Sequence, residues 1–243
     1  MKYLAIIPAR YASTRFPGKP LVDIHGKPMI QHVYERSSAS FDDCYVATDD
    51  QRIADAVEGF AGKVVMTSTE HRNGTERCRE ALDKIEAAGG QKYDVVVNIQ
   101  GDEPFIAAEQ LESLKKCFET AGTKLATLIK KFSADENIFN PNIVKVAVAE
   151  DSSVIYFSRT PIPYLRGVEP ELWQSTHQYY KHIGLYGFTP QTLREITSLP
   201  ASELEMAESL ESLRWVANGY KIMTAVTDCE SKAIDTPEDL KNL

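Results

Sequence analysis

The chain has 243 residues, 43% of them hydrophobic, so it can bury a sizeable core and form a single domain. Its 27 Lys and Arg against 35 Asp and Glu give a net charge of −8, which argues against a nucleic-acid partner. Neither a secretory leader pattern nor an apolar run of membrane-spanning length is visible, so we expect a cytoplasmic protein with no membrane partner. The cysteines lack metal-ligand spacing and are expected to be buried, reduced thiols: Cys44, Cys78, Cys117 and Cys229.

The first half of the chain alternates short apolar runs with amphipathic segments. The predicted strands are 3–7, 44–48, 63–66, 94–99 and 125–130. The predicted helices are 29–37, 50–60, 75–88 and 107–120. Continuous apolar strands that alternate with helices are typical of a parallel sheet covered on both faces. We therefore predict a three-layer α/β fold around a mostly parallel, Rossmann-like nucleotide-binding sheet.

The second half has a different pattern. Neighbouring strands are predicted at 144–149 and 154–157, and further elements are predicted as strand 180–188, helix 204–218 and strand 220–227. A short last helix is predicted after Thr236, with Pro237 in its first turn and Asp239 completing a capping box. These elements indicate one domain over 1–243 with an inserted mixed β lobe around 140–215.

The segment after the first predicted strand carries three cations with no acid among them. Arg10, Arg15 and Lys19 are close in sequence, and Pro17-Gly18 predicts a tight turn just before Lys19. A basic loop at the carboxyl end of a first strand is where α/β folds bind anions, usually phosphates. It is neither a Walker A loop nor a dinucleotide fingerprint, because the glycines of both are missing. A solvated surface loop is the alternative, and the loop's position favours phosphate binding.

Two aspartates each follow a strand-like run and precede a helix-like segment. Asp102 comes after Gly101 at the end of run 94–99, where a parallel sheet presents its ligands, and Asp235 follows the last predicted strand. A carboxylate beside a triphosphate-binding loop is typical of a Mg²⁺ site, since Mg²⁺ takes one or two carboxylates plus phosphate oxygens. Each aspartate could equally support the start of the helix that follows, and spacing alone does not show that the two meet.

The predicted strand 180–188 places His182, Gly184 and Tyr186 on one face. The absent side chain at Gly184 would leave a shallow floor between two hydrogen-bonding side chains, on which a polyhydroxy ligand could lie. A structural histidine is the alternative.

Two more places carry charged side chains in suggestive surroundings. Pro161 and Pro163 stiffen the segment beside Arg159, and a stiffly held guanidinium suits recognition of a carboxylate. Glu211 and Arg214 lie one turn apart on predicted helix 204–218, which indicates a surface ion pair of little energetic value.

Taken together, the chain resembles the 3-deoxy-manno-octulosonate cytidylyltransferases, also called CMP-Kdo synthetases. The segments that carry the resemblance are 8–21 (PARYASTRFPGKPL), 46–49 (VATD), 74–77 (GTER), 97–104 (VNIQGDEP), 156–159 (YFSR), 181–186 (KHIGLY), 208–214 (ESLESLR) and 235–240 (DTPEDL). The resemblance as a whole runs from residue 3 to residue 240, in order and without a large gap. The first loop and the Asp102 segment are shared in looser form with other cytidylyltransferases, whereas 182–186 and 208–214 are more specific to the Kdo enzymes.

The resemblance implies a fold of the nucleotide-diphospho-sugar transferase type and a Mg²⁺-dependent reaction. CTP and 3-deoxy-D-manno-octulosonate (Kdo) would give CMP-Kdo and pyrophosphate for lipopolysaccharide synthesis, by in-line attack of the sugar's anomeric hydroxyl on the α-phosphorus of CTP. The resemblance also implies a homodimer, in which the lobe around 140–215 would serve both sugar binding and dimerisation.

The same resemblance implies roles for individual residues. Arg10 and Lys19 would hold the triphosphate and serve catalysis together with the Mg²⁺ ligands Asp102 and Asp235. Ala9, Thr75 and Arg77 would lie at the cytosine and ribose, and Arg15 would join the nucleotide site. The sugar-acid pocket would be lined by Gln100, Arg159, His182, Tyr186, Glu211 and Arg214.

Two other functions remain possible at this point. A glycosyltransferase could also use a carboxylate after a strand to hold a metal and a nucleotide-sugar, but it would not need three cations in its first loop. A catalytically silent nucleotide-binding regulator would need neither the His182 and Tyr186 face nor a second carboxylate. The sequence does not separate Kdo from an amino-substituted Kdo, because one pocket residue could decide between them. It also leaves open whether Trp173, Tyr179 and Tyr180 serve an interface or a core.

Overall fold

The computed structural model describes residues 1–12, 16–89, 91–230, 233–234 and 236–241. Its strands are β1 (Tyr3–Ala9), β2 (Asp23–Ile24), β3 (Lys27–Pro28), β4 (Asp43–Thr48), β5 (Val64–Met66), β6 (Val95–Asn98), β7 (Leu125–Lys131), β8 (Lys145–Val148), β9 (Val154–Ser158), β10 (Tyr180–Phe188) and β11 (Met223–Val226). Its helices are α1 (Met29–Ser38), α2 (Gln51–Gly59), α3 (Gly74–Gly89), α4 (Ala108–Cys117), α5 (Trp173–Thr176), α6 (Pro190–Thr197), α7 (Glu203–Glu208), α8 (Ser212–Ala217) and α9 (Pro237–Leu240), with 3₁₀ turns at Lys19–Leu21 and Pro170–Leu172.

A single large sheet runs in the order β11-β7-β10-β6-β1-β4-β5 through the part of the chain that the structure describes. β1 is parallel to both β4 and β6, β4 to β5, and β7 to β11, whereas β10 is antiparallel to β6 and β7. The prediction of a mostly parallel sheet is therefore confirmed. The chain moves from β1 to β4 on one side and later to β6 on the other, so a crevice opens at the carboxyl ends of β1 and β6.

Helices cover both faces of this sheet, as the three-layer prediction requires. On one face α1, α2 and α4 bury a set of apolar side chains that includes Ile30, Ile53 and Leu111 against the strands. On the other face α3, α6 and α8 do the same, with Leu82 and Trp215 among the buried side chains. Apolar side chains of the strands point to both faces, which is why the strands read as continuous apolar runs in the sequence.

The lobe outside the sheet order is built on β8 and β9, which extend from the first residues of β10. It has a small core of its own, in which Trp173 and Tyr179 pack with Phe132 and Ile138. Trp173 and Tyr179 are 5% and 1% exposed, so the question left open by the sequence is answered in favour of a core role for both.

The predicted helix 204–218 is wrong as a single element. The chain forms α7, turns through Ser209 in the left-handed region at φ 53°, and starts α8 three residues later. The carboxylate of Glu208 accepts hydrogen bonds from the Ser158 hydroxyl and the Arg159 backbone N–H at 2.8 Å each. A contact with β9 thus coincides with the break, and helical periodicity gives no sign of it.

The smaller predictions were partly confirmed and partly wrong. Helix α6 was missed although Thr189, whose hydroxyl accepts from the Thr192 N–H, and Pro190 form a regular helix start. The last helix starts where predicted, and the Asp239 carboxylate accepts hydrogen bonds from the Thr236 N–H at 2.8 Å and from the Thr236 hydroxyl at 2.9 Å. All four thiols are free, but only Cys44 and Cys78 are buried.

Among the described residues no helix combines the length and apolarity needed to cross a bilayer.

Candidate active site

The first loop turns back on itself at Gly18. The Gly18 N–H donates to the carbonyl oxygen of Tyr11 at 2.9 Å, and Gly18 has φ 73°, a conformation that glycine adopts without strain. Lys19 then begins a 3₁₀ turn that directs the chain toward α1. The predicted turn therefore exists, and it places Lys19 beside the carboxyl end of β1.

Gly101 brings the carboxyl end of β6 against the same loop. A β-carbon at Gly101 would lie 2.8 Å from the carbonyl oxygen of Pro8, a distance that side chains do not tolerate. Only glycine therefore lets the chain pass this close to β1 before Asp102. Asp102 does not cap the next helix, because α4 starts at Ala108 with Ala107 at its N-cap position.

Residues from β1, the first loop, α3 and the end of β6 surround one cavity of about 200 Å³. Its lining includes six of the residues assigned to a site by the resemblance: Ala9, Arg10, Lys19, Arg77, Gln100 and Asp102. The remaining lining residues are Pro8, Pro20, His71, Asn73, Gly74 and Gly101. The cavity lies in the crevice where the sheet changes direction, the usual ligand position in open α/β sheets.

The cavity contains an ion pair between Lys19 and Asp102. The Lys19 ammonium donates to Oδ2 of Asp102 at 2.7 Å, and the two side chains are 14% and 29% exposed. Arg10 adds a further cation to the lining. Among the described lining residues Asp102 is the one carboxylate, so the cavity suits a polyanion that brings its own negative charge.

The buried guanidinium of Arg77 forms one wall of the cavity and is held by the protein itself. Its Nη2 donates to Oδ2 of Asp49 at 2.7 Å and its Nη1 donates to the Thr67 hydroxyl at 2.6 Å. The side chain is only 4% exposed. Arg77 is thus a rigid cation whose position is fixed before any ligand arrives.

The sequence analysis missed His71, which lines the cavity and is paired with Glu80 of α3. Burial pushes the pKa of Glu80 up, but hydrogen bonds from Lys84, the Ser68 N–H and His71 outweigh it and lower the pKa to about 2. The signal that could have found His71 is its place in a polar run just before α3, whose first residues line the cavity.

Thr75 does not line the cavity but faces the start of α8. It sits in the first turn of α3, is 3% exposed, and donates its hydroxyl hydrogen to Oε2 of Glu211 at 2.8 Å. Burial raises the pKa of the Glu211 carboxyl to about 7, although the hydrogen bond from Thr75 and the charge of Arg214 oppose the shift. The nearby acids Glu205 and Glu76 raise it further.

The raised pKa of Glu211 predicts a pH-dependent stability. The folded protein keeps the proton of Glu211 up to about pH 7, whereas the unfolded chain loses it near its ordinary pKa of about 4.3. Stability from this group is therefore complete at low pH and is lost as the pH rises through that window. Relative to Glu211→Gln, the wild type should lose about 2 to 3 kcal/mol of unfolding free energy between pH 5 and pH 8.

The measurement is urea denaturation across this pH range. Glu150→Gln is the matched control, since Glu150 is exposed, and it should leave the pH profile of the wild type unchanged. Parallel pH profiles for the wild type and Glu211→Gln would show that the carboxyl is ionised throughout.

His182 and Tyr186 lie side by side on β10, with ring centroids 5.1 Å apart. A register shift between Ile183 and Tyr186 in the pairing with β7 brings the two rings together. The predicted floor at Gly184 is therefore wrong, because the two rings leave no gap between them. Gly184 instead borders a separate, very small cavity near Gln100.

The imidazole of His182 is neutral over the physiological pH range, because burial lowers its pKa to about 4. Thr127 donates its hydroxyl hydrogen to the carbonyl oxygen of Leu185 at 2.8 Å. The contact of 3.0 Å between the Thr127 hydroxyl oxygen and Nε2 is then a hydrogen bond donated by the imidazole. This network assigns the proton to Nε2 and leaves Nδ1 as an acceptor.

Arg159 joins the end of β9 to the turn between α7 and α8. Its guanidinium donates to the carbonyl oxygens of Glu208 at 2.6 Å, Pro141 at 2.9 Å and Ser209 at 3.4 Å. Among the described residues no carboxylate accepts a hydrogen bond from this guanidinium. The positive charge is thus held in place by neutral groups, close to the segment that carries Glu211.

The expected surface pair of Glu211 and Arg214 is wrong. Arg214 is 3% exposed and donates to both carboxylate oxygens of Glu205, at 2.5 and 2.7 Å. Glu211 instead contacts Thr75, as described above. The break between α7 and α8 explains the difference, because it lets Glu205 rather than Glu211 face Arg214.

Two of the predicted site residues, Arg15 and Asp235, lie outside the described residues, so their roles stay predictions. Ile234, the neighbour of Asp235 in the sequence, is fully buried and donates its N–H to the carbonyl oxygen of Asp102 at 3.0 Å.

Comparison with known proteins identifies the class. Residues 4–222 match a family model described as cytidylyltransferase. The chain is 56% identical to the 3-deoxy-manno-octulosonate cytidylyltransferase of Parabacteroides distasonis, over 99% of this chain and 96% of that protein. It is 43% identical to the 8-amino-3,8-dideoxy-manno-octulosonate cytidylyltransferase of Shewanella piezotolerans, over 99% of this chain and 96% of that protein.

A solved structure of a CMP:2-keto-3-deoxy-manno-octonic acid synthetase complexed with CTP superimposes with a TM-score of 0.90. It is 41% identical to this chain and the match covers 100% of this chain and 96% of that one. The chain therefore belongs to the cytidylyltransferases, a class of nucleotidyltransferase enzymes. Within that class it is a member of the 3-deoxy-manno-octulosonate cytidylyltransferase family.

Proposed function

We propose that the protein transfers CMP from CTP to Kdo and releases pyrophosphate, as a step of lipopolysaccharide synthesis in the cytoplasm. The observation that carries this proposal is the meeting of Arg10 and Lys19 from one strand end with Asp102 from the neighbouring strand end around a single cavity. Such a cavity provides cations for a triphosphate together with a carboxylate at the point where a metal-bound phosphate would lie.

The reaction is a displacement at the α-phosphorus of CTP. A bond forms from the anomeric oxygen of the sugar to this phosphorus, the bond from phosphorus to the bridging oxygen breaks, and pyrophosphate leaves with the electron pair. The hydroxyl proton passes to solvent. The sugar acid is itself an anion, and two unit charges about 4 Å apart repel by roughly 4 kcal/mol in a partly desolvated site. Positioning and charge neutralisation are therefore the main tasks of the protein.

Lys19 and Arg10 serve those tasks at the triphosphate, where they neutralise charge that grows on the departing pyrophosphate. Arg77 is held rigid by Asp49 and Thr67 and offers a fixed wall to the nucleoside end of the ligand. His182 presents a neutral imidazole, which can accept a hydrogen bond from a sugar hydroxyl through Nδ1.

The donor set of the cavity fits Mg²⁺. Asp102 supplies one partly exposed carboxylate, and Mg²⁺ is commonly held by one or two carboxylates together with substrate phosphates. Among the described residues there is no group of three or more His, Cys, Asp or Glu that could hold a metal. Asp102 would hold the ion, with Asp235 as the second predicted ligand. A bound Mg²⁺ supplies Lewis acidity toward phosphate oxygens.

Of the two arginines assigned to the sugar acid, Arg159 is the better partner for its carboxylate. Arg214 already makes two hydrogen bonds to Glu205, so another carboxylate would have to compete for it. Arg159 is held by three carbonyl oxygens, which fix its plane without neutralising its charge. A guanidinium has five N–H donors, so further donors remain for a ligand.

The test is pyrophosphate release with Mg²⁺, comparing CTP with UTP, each with and without Kdo. Release that requires CTP and Kdo together is the expected result. Replacing Kdo by its 8-amino analogue decides which sugar acid is preferred. Release with neither sugar acid, together with hydrolysis of a nucleotide-diphospho-sugar, would favour the glycosyltransferase instead. CTP binding without any turnover would favour the silent regulator.

We also propose a homodimer, on the family's example. The protein should sediment with twice the chain mass of 27.2 kDa at micromolar concentration. A sedimentation mass equal to one chain, measured over the same concentration range, would contradict this proposal.

A further inference from the structure

The family resemblance implies that Thr75 serves the nucleotide and Glu211 the sugar acid, and the structure joins the two residues by a direct hydrogen bond. The Thr75 hydroxyl and Oε2 of Glu211 are 2.8 Å apart, although the residues are 136 positions apart in the sequence. We propose that this contact couples the two sites, so that CTP and Kdo each raise the affinity for the other. The inference rests on the proposed function, because it needs both ligands to bind.

The first turn of α3 is the element that would respond to the nucleotide. Gly74 and Arg77 of this turn line the cavity, and Thr75 lies between them with its side chain directed to Glu211. A β-carbon at Gly74 would approach Pro8 of β1 to 3.0 Å, so the turn has little room to shift. A ligand that contacts the Gly74 and Arg77 side of the turn therefore bears directly on the position of Thr75.

The start of α8 is the element that would respond to the sugar acid. Glu211 is the residue just before this helix, and Ser212, Leu213 and Arg214 behind it are buried. Tyr186 lies close enough to Ser212 and Glu211 for both to influence the pKa of its phenol. Glu211 thus lies near Thr75 and near Tyr186, whose ring in turn contacts that of His182.

Breaking the hydrogen bond between Thr75 and Glu211 costs free energy unless each group finds another partner. Burial disfavours an unpaired carboxyl or hydroxyl group, so a shift of Thr75 or of Glu211 should carry its partner along rather than break the hydrogen bond. When one ligand fixes either partner, the other partner is fixed as well. The second ligand then meets a site that is already ordered, which is the physical origin of positive coupling.

The experiment measures coupling by calorimetry, with α,β-methylene-CTP as a nucleotide that cannot lose pyrophosphate. The dissociation constant of Kdo is measured with and without the nucleotide at fixed Mg²⁺, and the reverse titration must give the same ratio. For the wild type we expect a ratio of about 10 to 100. Thr75→Val and Glu211→Ala should each reduce the ratio below about 3, and the double variant should lose nothing further.

Two variants separate this role from a merely structural one. Thr75→Ser keeps the hydroxyl and should keep the coupling. Thr224→Val removes a buried hydroxyl that donates at the same 2.8 Å distance, to Ser152 in the lobe, and should also keep it. Wild-type coupling in Thr75→Val would overturn the inference. So would a wild type that binds both ligands independently, which would leave the proposed function intact. A wild type that does not bind CTP would overturn both.

Discussion

Asp102→Asn is expected to lower kcat by about 10³-fold or more while the protein stays folded. Asparagine keeps the shape of the side chain but removes the negative charge that would hold Mg²⁺ beside the α-phosphate, and such a charge is worth several kcal/mol in the transition state. The structural cost is small, since the lost ion pair with Lys19 is partly exposed and the backbone contact with Ile234 uses only the carbonyl of Asp102.

The measurement is kcat as a function of Mg²⁺ concentration, together with CTP affinity in the absence of Mg²⁺. The variant should bind CTP without Mg²⁺ at least as well as the wild type, because one negative charge has left the cavity. Asp94→Asn is the matched control, since Asp94 directly precedes β6, at the end away from Asp102, and its carboxylate accepts a hydrogen bond from the Lys2 N–H at 2.7 Å. A loss of less than tenfold in Asp102→Asn would exclude this carboxylate as the metal ligand.

Arg159→Met is expected to raise the KM for Kdo by about 30- to 100-fold and to leave the KM for CTP within about twofold. The reason is the loss of a charge-assisted hydrogen bond to the sugar carboxylate, worth roughly 2 to 3 kcal/mol. Arg159→Lys keeps the charge without the planar fork and should show an intermediate KM for Kdo.

Steady-state kinetics with each substrate varied in turn check this prediction. Arg166→Met serves as the control for loss of an exposed arginine in the same lobe and should change neither KM. Arg159 also supports the turn at Ser209, so thermal unfolding must show that the variant is folded at the assay temperature. Equal increases in both KM values would assign Arg159 to the framework rather than to the sugar acid.

The sequence was informative where local patterns decide the structure. The apolar runs that became β1 and β6 are buried on both faces, and a parallel sheet places their carboxyl ends together. That rule alone predicts that Lys19 and Asp102 lie at the same edge of the sheet. In the structure Nζ of Lys19 is 2.7 Å from Oδ2 of Asp102. Helix α3 was also predicted correctly, because its apolar residues follow helical spacing and Gly89 lies at its end.

The sequence was uninformative where contacts between distant segments decide the structure. The left-handed Ser209 depends on what Glu208 meets on β9, and the pairing of Arg214 with Glu205 follows from that break. The register shift in β10, which brings His182 against Tyr186, depends on pairing with β7. None of these contacts leaves a period of 2 or 3.6 residues in the sequence.

The most direct test of the central claim follows the anomeric oxygen of the sugar. Kdo labelled with ¹⁸O at the anomeric hydroxyl is incubated with CTP, Mg²⁺ and the protein, and the phosphorus signals of the products are recorded by NMR. Attack of the sugar hydroxyl on the α-phosphorus predicts CMP-Kdo with ¹⁸O in the bridge between sugar and phosphorus, and unlabelled pyrophosphate. Loss of the label from the sugar product, or pyrophosphate formed without CMP-Kdo, would contradict CMP transfer to Kdo.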